Sequence, residues 1–438
     1  MKRVLLVSYY FPPSGGSGVQ RMLKVAKYLR ECGWEPVVLT VDPEHAAFPD
    51  LDTELEQDIP MGLEVIRTRS WDPYAVYARL MGLRKESAVG VGFLADRHEP
   101  DLRERVSRWV RANLFLPDAR VGWVPFAVRA ARSLMKRHAV HAVVTSGPPH
   151  SAHLVGAHLK KRFGIPWIAD LRDAWPDVAY RHMLPTSAPA GDLDCLIRDH
   201  ALTLADIRVT VTNEVAAWME SETGFPFEVI PNGFDPSDFE AVTARKLGGF
   251  SVVHTGNMGP ARDPEPLWSM LTTDRWPDIS LVLVGNVDGS IHRRLATLQD
   301  ARRAAGLPRL SVERHAYVPH SEAIAFMKGA SMLLLPINRV TDGAGIVTGK
   351  IYEYLASGRP VLGLGEPGGE ADRILRAAGA GRVFAYDDVD GIGAAIDTAH
   401  AAWKAGAPQP GATPEAASPW SRRAQTHHLS TYLNDLIS

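Results

Sequence analysis

The sequence is short of cysteine, of any net excess of charge and of long apolar runs, and each shortage excludes something. Cys32 and Cys195 are its 2 cysteines, far apart and outside any CxxC spacing. That removes a disulfide framework and a cysteine-based zinc site, and it fits reduced thiols in a cytoplasmic protein. A formal net charge of -2 supplies no global attraction to nucleic acid. No stretch approaches the roughly 18 uninterrupted apolar residues of a membrane span. The opening MKRVLLVSYYFPPSGG has a short apolar run that leads into tyrosine, proline and glycine, so it reads as a buried strand and not as a signal peptide. GxGxxG, a Walker loop and a convincing metal-ligand cluster are missing too, and no metal is expected.

What is present is an ordinary globular composition, 45% hydrophobic and 22% charged over 438 residues, long enough for two domains of about 200 residues each. Apolar runs bounded by turn residues predict strands at 4–8, 36–41, 63–67, 140–145, 166–169, 207–212 and 227–230. A second series follows at 251–254, 281–284, 310–312, 332–335 and 361–364. Helical spacing lies between them, as in Val19, Leu23, Ala26 and Leu29. Strands alternating with helices imply α/β domains with parallel sheets and ligands at the carboxyl ends of the strands.

Those ends carry the candidate chemistry. Gly15, Gly16 and Gly18 lead into the first helix and let a ligand approach backbone N–H groups. TSGPPHSAHL places His150 at the start of a helix, and ADLRDAWPD sets Asp170, Arg172 and Asp173 at a sheet edge. His150 suits a sugar hydroxyl, and Asp173 suits an acceptor hydroxyl or developing positive charge. In the second half, TGNMGPARDP offers Gly256, Asn257, Gly259 and Arg262 in one loop. The stretch 348–362, TGKIYEYLASGRPVL, predicts a helix that Thr348 caps and that Gly358 and Pro360 end. Lys350 and Glu353 share a face in its first turns, near N–H groups free to receive a phosphate. A capped surface helix with one ion pair is the plainer alternative. Between 70 and 138 the segment RERVSRWVRANLFL places Arg103, Arg105, Arg108 and Arg111 around Val106, Trp109 and Val110. It reads either as a solvated face over a core stripe or as a helix lying on an anionic membrane.

Together, SYYFPPSGGSGVQR, TSGPPHSAHL, ADLRDAW, VIPNGFD, HTGNMGPARDP and GKIYEYLASGRPVL make the chain resemble retaining glycosyltransferases of the family 4 type over essentially its whole length. The resemblance implies the GT-B fold: two Rossmann-like parallel-sheet domains facing across a cleft. The acceptor-side domain would cover 1–228, a hinge 229–236, the nucleotide-sugar domain 237–405 and a linker 406–420, with a terminal helix at 421–438 returning to the first domain. It implies that Glu353 binds the donor ribose and that Thr348, Gly349 and Lys350 receive the diphosphate. Arg262 would contact the diphosphate and Val318 the base, with Ile346 and Val347 on the donor side and His150 near the sugar. Two positions depart from the family. Gly345 stands where a glutamate often holds the transferred sugar, with Asp342 a replacement if its turn folds inward, and Asn257 stands where many members have arginine.

The activity so implied is transfer of a hexose-type sugar, with retained configuration, from a nucleotide diphosphate sugar to an acceptor hydroxyl. The leaving phosphate would accept the acceptor's proton, so neither a metal nor a carboxylate pair is required. UDP and GDP are the favoured bases, and the acceptor is a saccharide, lipid-linked or small molecule. The product would belong to polysaccharide, glycolipid or glycosylated-metabolite biosynthesis, at a cytoplasmic or peripheral inner-membrane location. The alternatives are a nucleotide-sugar epimerase or hydrolase of the same fold and a catalytically silent binding module.

Overall fold

The computed structural model describes residues 1–48, 51–71, 102–176, 185–339 and 343–438. These divide into two compact units: Met1–Pro231 with Gln425–Ser438, and Asn232–Ala424.

The first unit is a sheet of strands β1 (Lys2–Ser8), β2 (Trp34–Val41), β3 (Glu64–Thr68), β4 (Ala142–Gly147), β5 (Trp167–Leu171), β6 (Ile207–Thr210) and β7 (Glu228–Val229). They run parallel in the order β3-β2-β1-β4-β5-β6-β7. Helices α1 (Ser17–Tyr28), α2 (Leu102–Leu114), α3 (Val124–Arg137), α4 (Ser151–Phe163), α5 (Ala188–Leu204) and α6 (Asn213–Thr223) accompany them. Central strands such as β1 are buried on both faces, which is why they read as unbroken apolar runs and not as alternation. Val4 and Leu6 pack on one side with α1, while Leu5 and Val7 pack on the other with α4.

The second unit is a sheet of β8 (Phe250–Thr255), β9 (Ile279–Val284), β10 (Ser311–His315), β11 (Met332–Pro336), β12 (Val361–Leu364) and β13 (Gly381–Phe384). It is also parallel, in the order β10-β9-β8-β11-β12-β13. Its helices are α7 (Pro236–Glu240), α8 (Glu265–Met270), α9 (Gly289–Ala304), α10 (His320–Gly329), α11 (Lys350–Ala356), α12 (Glu370–Ala377), α13 (Val389–Lys404) and α14 (Pro414–Ala417). Strand β13 has no counterpart in the sequence reading. It is four residues with one fully buried side chain, Val383, too short for any periodicity to register.

The proline- and glycine-rich 406–420 segment is anchored. Gly411 N donates to Gly358 O at 3.0 Å, and Ala412 and Ala417 are buried in the second unit's core. Helix α15 (Arg422–Asp435) then buries Leu429 and Leu433 against Val4 and Leu6 of the first unit. Tyr432 donates to Glu228 at 2.8 Å there.

Candidate functional site

In the second unit the strand order reverses between β8 and β11, and open parallel sheets receive ligands outside the carboxyl ends at such a point. The loop leaving β8 starts at Gly256, whose φ is 96°, a conformation open mainly to glycine. The Lys350 side chain crosses it so closely that an added Cβ would lie 2.9 Å from Nζ. Tyr354, one turn beyond Lys350, fixes that crossing. Its hydroxyl accepts from Thr255 N at 3.0 Å, at the end of β8. Helix α11 also buries Ile351, Tyr352 and Leu355, each contributing about 1.5–3 kcal/mol. The helix is therefore a core element and not a surface one.

Arg262 spans the reversal. Its Nε donates to Asn338 Oδ1, past the end of β11, at 2.6 Å, and one terminal nitrogen donates to Asn257 O, past the end of β8, at 3.1 Å. Burial, then the positive Arg262, lower the Lys350 ammonium to about 8, with Glu353 pulling the other way. Beneath them His254 is buried, its Nδ1 3.0 Å from Leu334 O. A carbonyl only accepts, so Nδ1 carries the proton. Its Nε2 has no hydrogen-bond partner among the described residues. Burial and the positive Lys350 push this imidazole down to about 3, so it stays neutral. The end of the sheet thus presents two cations, neither within ion-pair distance of a carboxylate among the described residues, and such a pair favours a polyanion.

Glu353 does not pair with Lys350. Its Oε1 accepts from His320 Nε2 at 2.9 Å, at the start of α10. Val318, Ile346 and Val347 are partly buried against the same core as Tyr352 and Tyr354. Thr348 does not cap α11 with its side chain. Gly349 holds the N-cap position, the Thr348 carbonyl accepts from Ile351 N at 3.1 Å, and Thr348 Oγ1 is buried without a partner among the described residues. Gly358 has φ 67 and ends the helix in the left-handed conformation expected of it. Gly345 closes a single turn, Gly343–Gly345, and Asp342 lies outside the described residues. His254, His320, Asn338 and Tyr354 were missed from the sequence. Asn338 was findable, because it is the first polar residue after the apolar run 332–335, at the carboxyl end of an expected strand.

In the first unit His150 precedes α4, as expected, but it is buried. Its ring stacks on Trp175 with centroids 4.9 Å apart and planes 6° from parallel. Burial holds it well below the ordinary histidine value, and Nδ1 is unpartnered among the described residues. The α4 N-terminus is satisfied by Asp118, which accepts from Ser151 N at 2.8 Å and from Ser151 Oγ at 3.0 Å. Asp170 is not exposed to a ligand. It accepts two bonds from Arg21, at 2.7 and 3.0 Å, and one from Ser146 at 2.8 Å, all buried. Arg172 donates to Pro148 O at 2.6 Å and packs against Gly18, where a side chain would collide with its guanidinium. Asp173 and Gly16 are exposed and Gly15 is buried. In α2, Val106, Trp109 and Leu114 are exposed.

Among the described residues, Asp42, Glu44 and His45 bring three ligand-type atoms within 4.8 Å. Asp42 already accepts from Glu44 N at 2.9 Å as the cap of that turn, which accounts for its position. No helix among the described residues is long and apolar enough to cross a membrane.

Residues 82–238 match the family described as Glycosyltransferase Family 4. Among solved structures the chain is similar to Anabaena Alr3699/HepE in complex with UDP and glucose, at 15% identity and TM-score 0.59, covering 99% of this chain and 100% of that one. It is also similar to sucrose-phosphate synthase from Thermosynechococcus elongatus, at 14% identity and TM-score 0.58, covering 100% and 99%. A third likeness is to the lipopolysaccharide outer core galactosyltransferase WaaB in its apo form, at 11% identity and TM-score 0.55, covering 99% and 100%. No curated protein matches the sequence. With its two Rossmann-like parallel-sheet units the chain has the GT-B fold, and residues 82–238 within it are similar to a glycosyltransferase family.

Proposed function

We propose that the chain transfers a sugar from a nucleotide diphosphate sugar to an acceptor hydroxyl with retained anomeric configuration. The observation that carries this reading is the cation pair at the reversal of the second sheet, Lys350 lying across Gly256 and Arg262 joining the ends of β8 and β11. Departure of a diphosphate leaves negative charge that such fixed cations stabilise in the transition state. Glu353, held by His320, is assigned to the donor ribose, and Val318, Ile346 and Val347 to the base and its surroundings. The similar Anabaena protein is a complex with UDP and with UDP-glucose, which supports UDP as the first base to try. In the first unit His150, Arg172 and Asp173, with the Gly15 and Gly16 loop, are assigned to the acceptor. The leaving phosphate takes the acceptor proton, so the retaining step needs no protein base at the sugar.

The test is UDP binding and UDP-glucose consumption in Arg262→Ala and Lys350→Ala. Losses in both, with the wild-type product keeping its anomeric configuration by NMR, support the proposal. Near wild-type rates in both variants would remove it, and an epimerised sugar nucleotide formed without acceptor would favour an epimerase. The exposed Val106, Trp109 and Leu114 of α2, beside the exposed Arg105, support peripheral contact with an anionic bilayer. Co-sedimentation with anionic vesicles that survives Trp109→Glu unchanged would count against it.

A further inference from the structure

The first unit carries a half-open cavity of about 290 Å³ beside the carboxyl ends of its central strands, at the small end of the volumes that hold small molecules. Most of its wall is apolar: Phe115, Leu116, Pro117, Pro149, Trp175 and Pro176. Of the three carboxylates in the wall, Asp173 is exposed and the other two are already engaged. Asp118 accepts from Ser151 N, Ser151 Oγ and Arg120 N, and Asp194 accepts from Trp175 Nε1 at 3.0 Å. The Arg120 guanidinium donates to Ala47 O at 2.8 Å and lies over the Tyr9 ring. His150 also lines the cavity, but its Nδ1, unpartnered among the described residues, is shut away beside Gly147, so the ring stacked on Trp175 adds apolar surface.

A sugar entering such a space would lose water from several hydroxyls and regain few hydrogen bonds, which is costly. An apolar group loses nothing of that kind and gains in proportion to the area it buries. We propose that this cavity holds a compact apolar group of the acceptor, an aromatic ring or a short hydrocarbon. The acceptor is accordingly a molecule that joins an apolar moiety to its hydroxyl-bearing part. This rests on the assignment of the first unit to the acceptor.

The experiment compares phenyl, hexyl and methyl β-glucosides by calorimetry on the full chain. Wild type is set against Ala112→Phe and Thr186→Phe, which fill the cavity from two of its walls, and UDP binding is followed in the same samples. Phenyl or hexyl glucoside is expected to bind at least about 10-fold more tightly than methyl glucoside, the gain from burying a few carbon groups. Either filling variant, if its melting transition is intact, should abolish the difference and leave UDP binding unchanged. Phenyl over hexyl identifies an aromatic acceptor group, and the reverse an aliphatic one. Equal binding of all three to wild type, or a preference that survives both fillings, overturns the inference. Absence of UDP binding with the preference intact would strike the transferase reading and leave the cavity's preference standing.

Discussion

Lys350 and Gly256 are in contact across the mouth of the second sheet: the lysine side chain occupies the space in which any β-carbon at 256 would sit. Gly256→Ala must therefore displace the lysine and hold φ 96 with an alanine, a conformation that costs on the order of 1–3 kcal/mol. Stability is expected to fall by that order, and UDP affinity by more than Lys350→Ala alone would cause if the loop also shifts. Thermal melts and calorimetry check both, and wild-type UDP affinity in the alanine variant would show that the contact has no part in binding.

Charge on Lys350 gives a pH signature. Its ammonium titrates near 8, below the ordinary 10.5, so the cation is present below that pH and lost above it. UDP affinity is expected to weaken between pH 7 and pH 9, and Lys350→Arg should flatten the profile because arginine keeps its charge. The effect on stability has the opposite sign. Burying the charged lysine costs most below pH 8, and the cost is relieved as pH rises toward 10.5. Identical affinity profiles for lysine and arginine would exclude this residue as the source.

The His320 to Glu353 contact predicts unequal losses. Glu353→Ala is expected to weaken UDP binding about 10- to 100-fold, as a hydrogen bond to a charged group contributes about 1.5–3 kcal/mol. His320→Ala, which only orients the carboxylate, should cost less. A double-mutant cycle ought to show coupling, and a 2′,3′-dideoxy UDP analogue should bind wild type and Glu353→Ala alike. Full sensitivity of that analogue to the mutation would place Glu353 elsewhere than at the ribose.

Asp170→Ala leaves Arg21 buried and uncompensated. About 3–5 kcal/mol of stability is expected to be lost, visible as a lower denaturation midpoint, with UDP affinity of the folded protein unchanged. A ligand role for Asp170 would appear instead as weakened substrate binding at unaltered stability.

Acid should act through His254 and His153, both pushed by burial to about 3 from 6.5. The unfolded chain takes up these protons near pH 6.5 and the folded chain does not until near pH 3. Each histidine thus contributes stability that is whole above pH 6.5 and declines through that window, by at most about 1.4 kcal/mol per pH unit. His254→Asn, which can keep a donor toward Leu334 O, is expected to melt with a shallower pH dependence, and an unaltered slope would exclude His254 as a contributor.

Parts of the candidate site could be read from local pattern alone. Gly256 and Arg262 lie in a loop that follows an apolar run, Lys350 opens a helix that ends at Gly358, and His150 follows a run ending in two prolines. Each signal is contained within about a dozen residues, so turn chemistry and periodicity suffice. Strand β13 was too short to leave such a signal, and the expected Thr348 cap lost to Gly349 because α11 is set by its buried face and by Tyr354.

The sequence by itself determined where strands and helices alternate, and hence the parallel α/β class, since apolar runs and glycine turns act over a few residues. Tertiary structure alone decided the partners. Asp118 caps a helix 33 residues later, His320 holds a carboxylate 33 residues away, and Arg21 neutralises Asp170 across 149 residues. Those pairs exist because the crossovers bring β1, β4 and β5 side by side in one sheet and β8 beside β11 in the other. Strand order is a global choice of packing, and no local run of side chains encodes it.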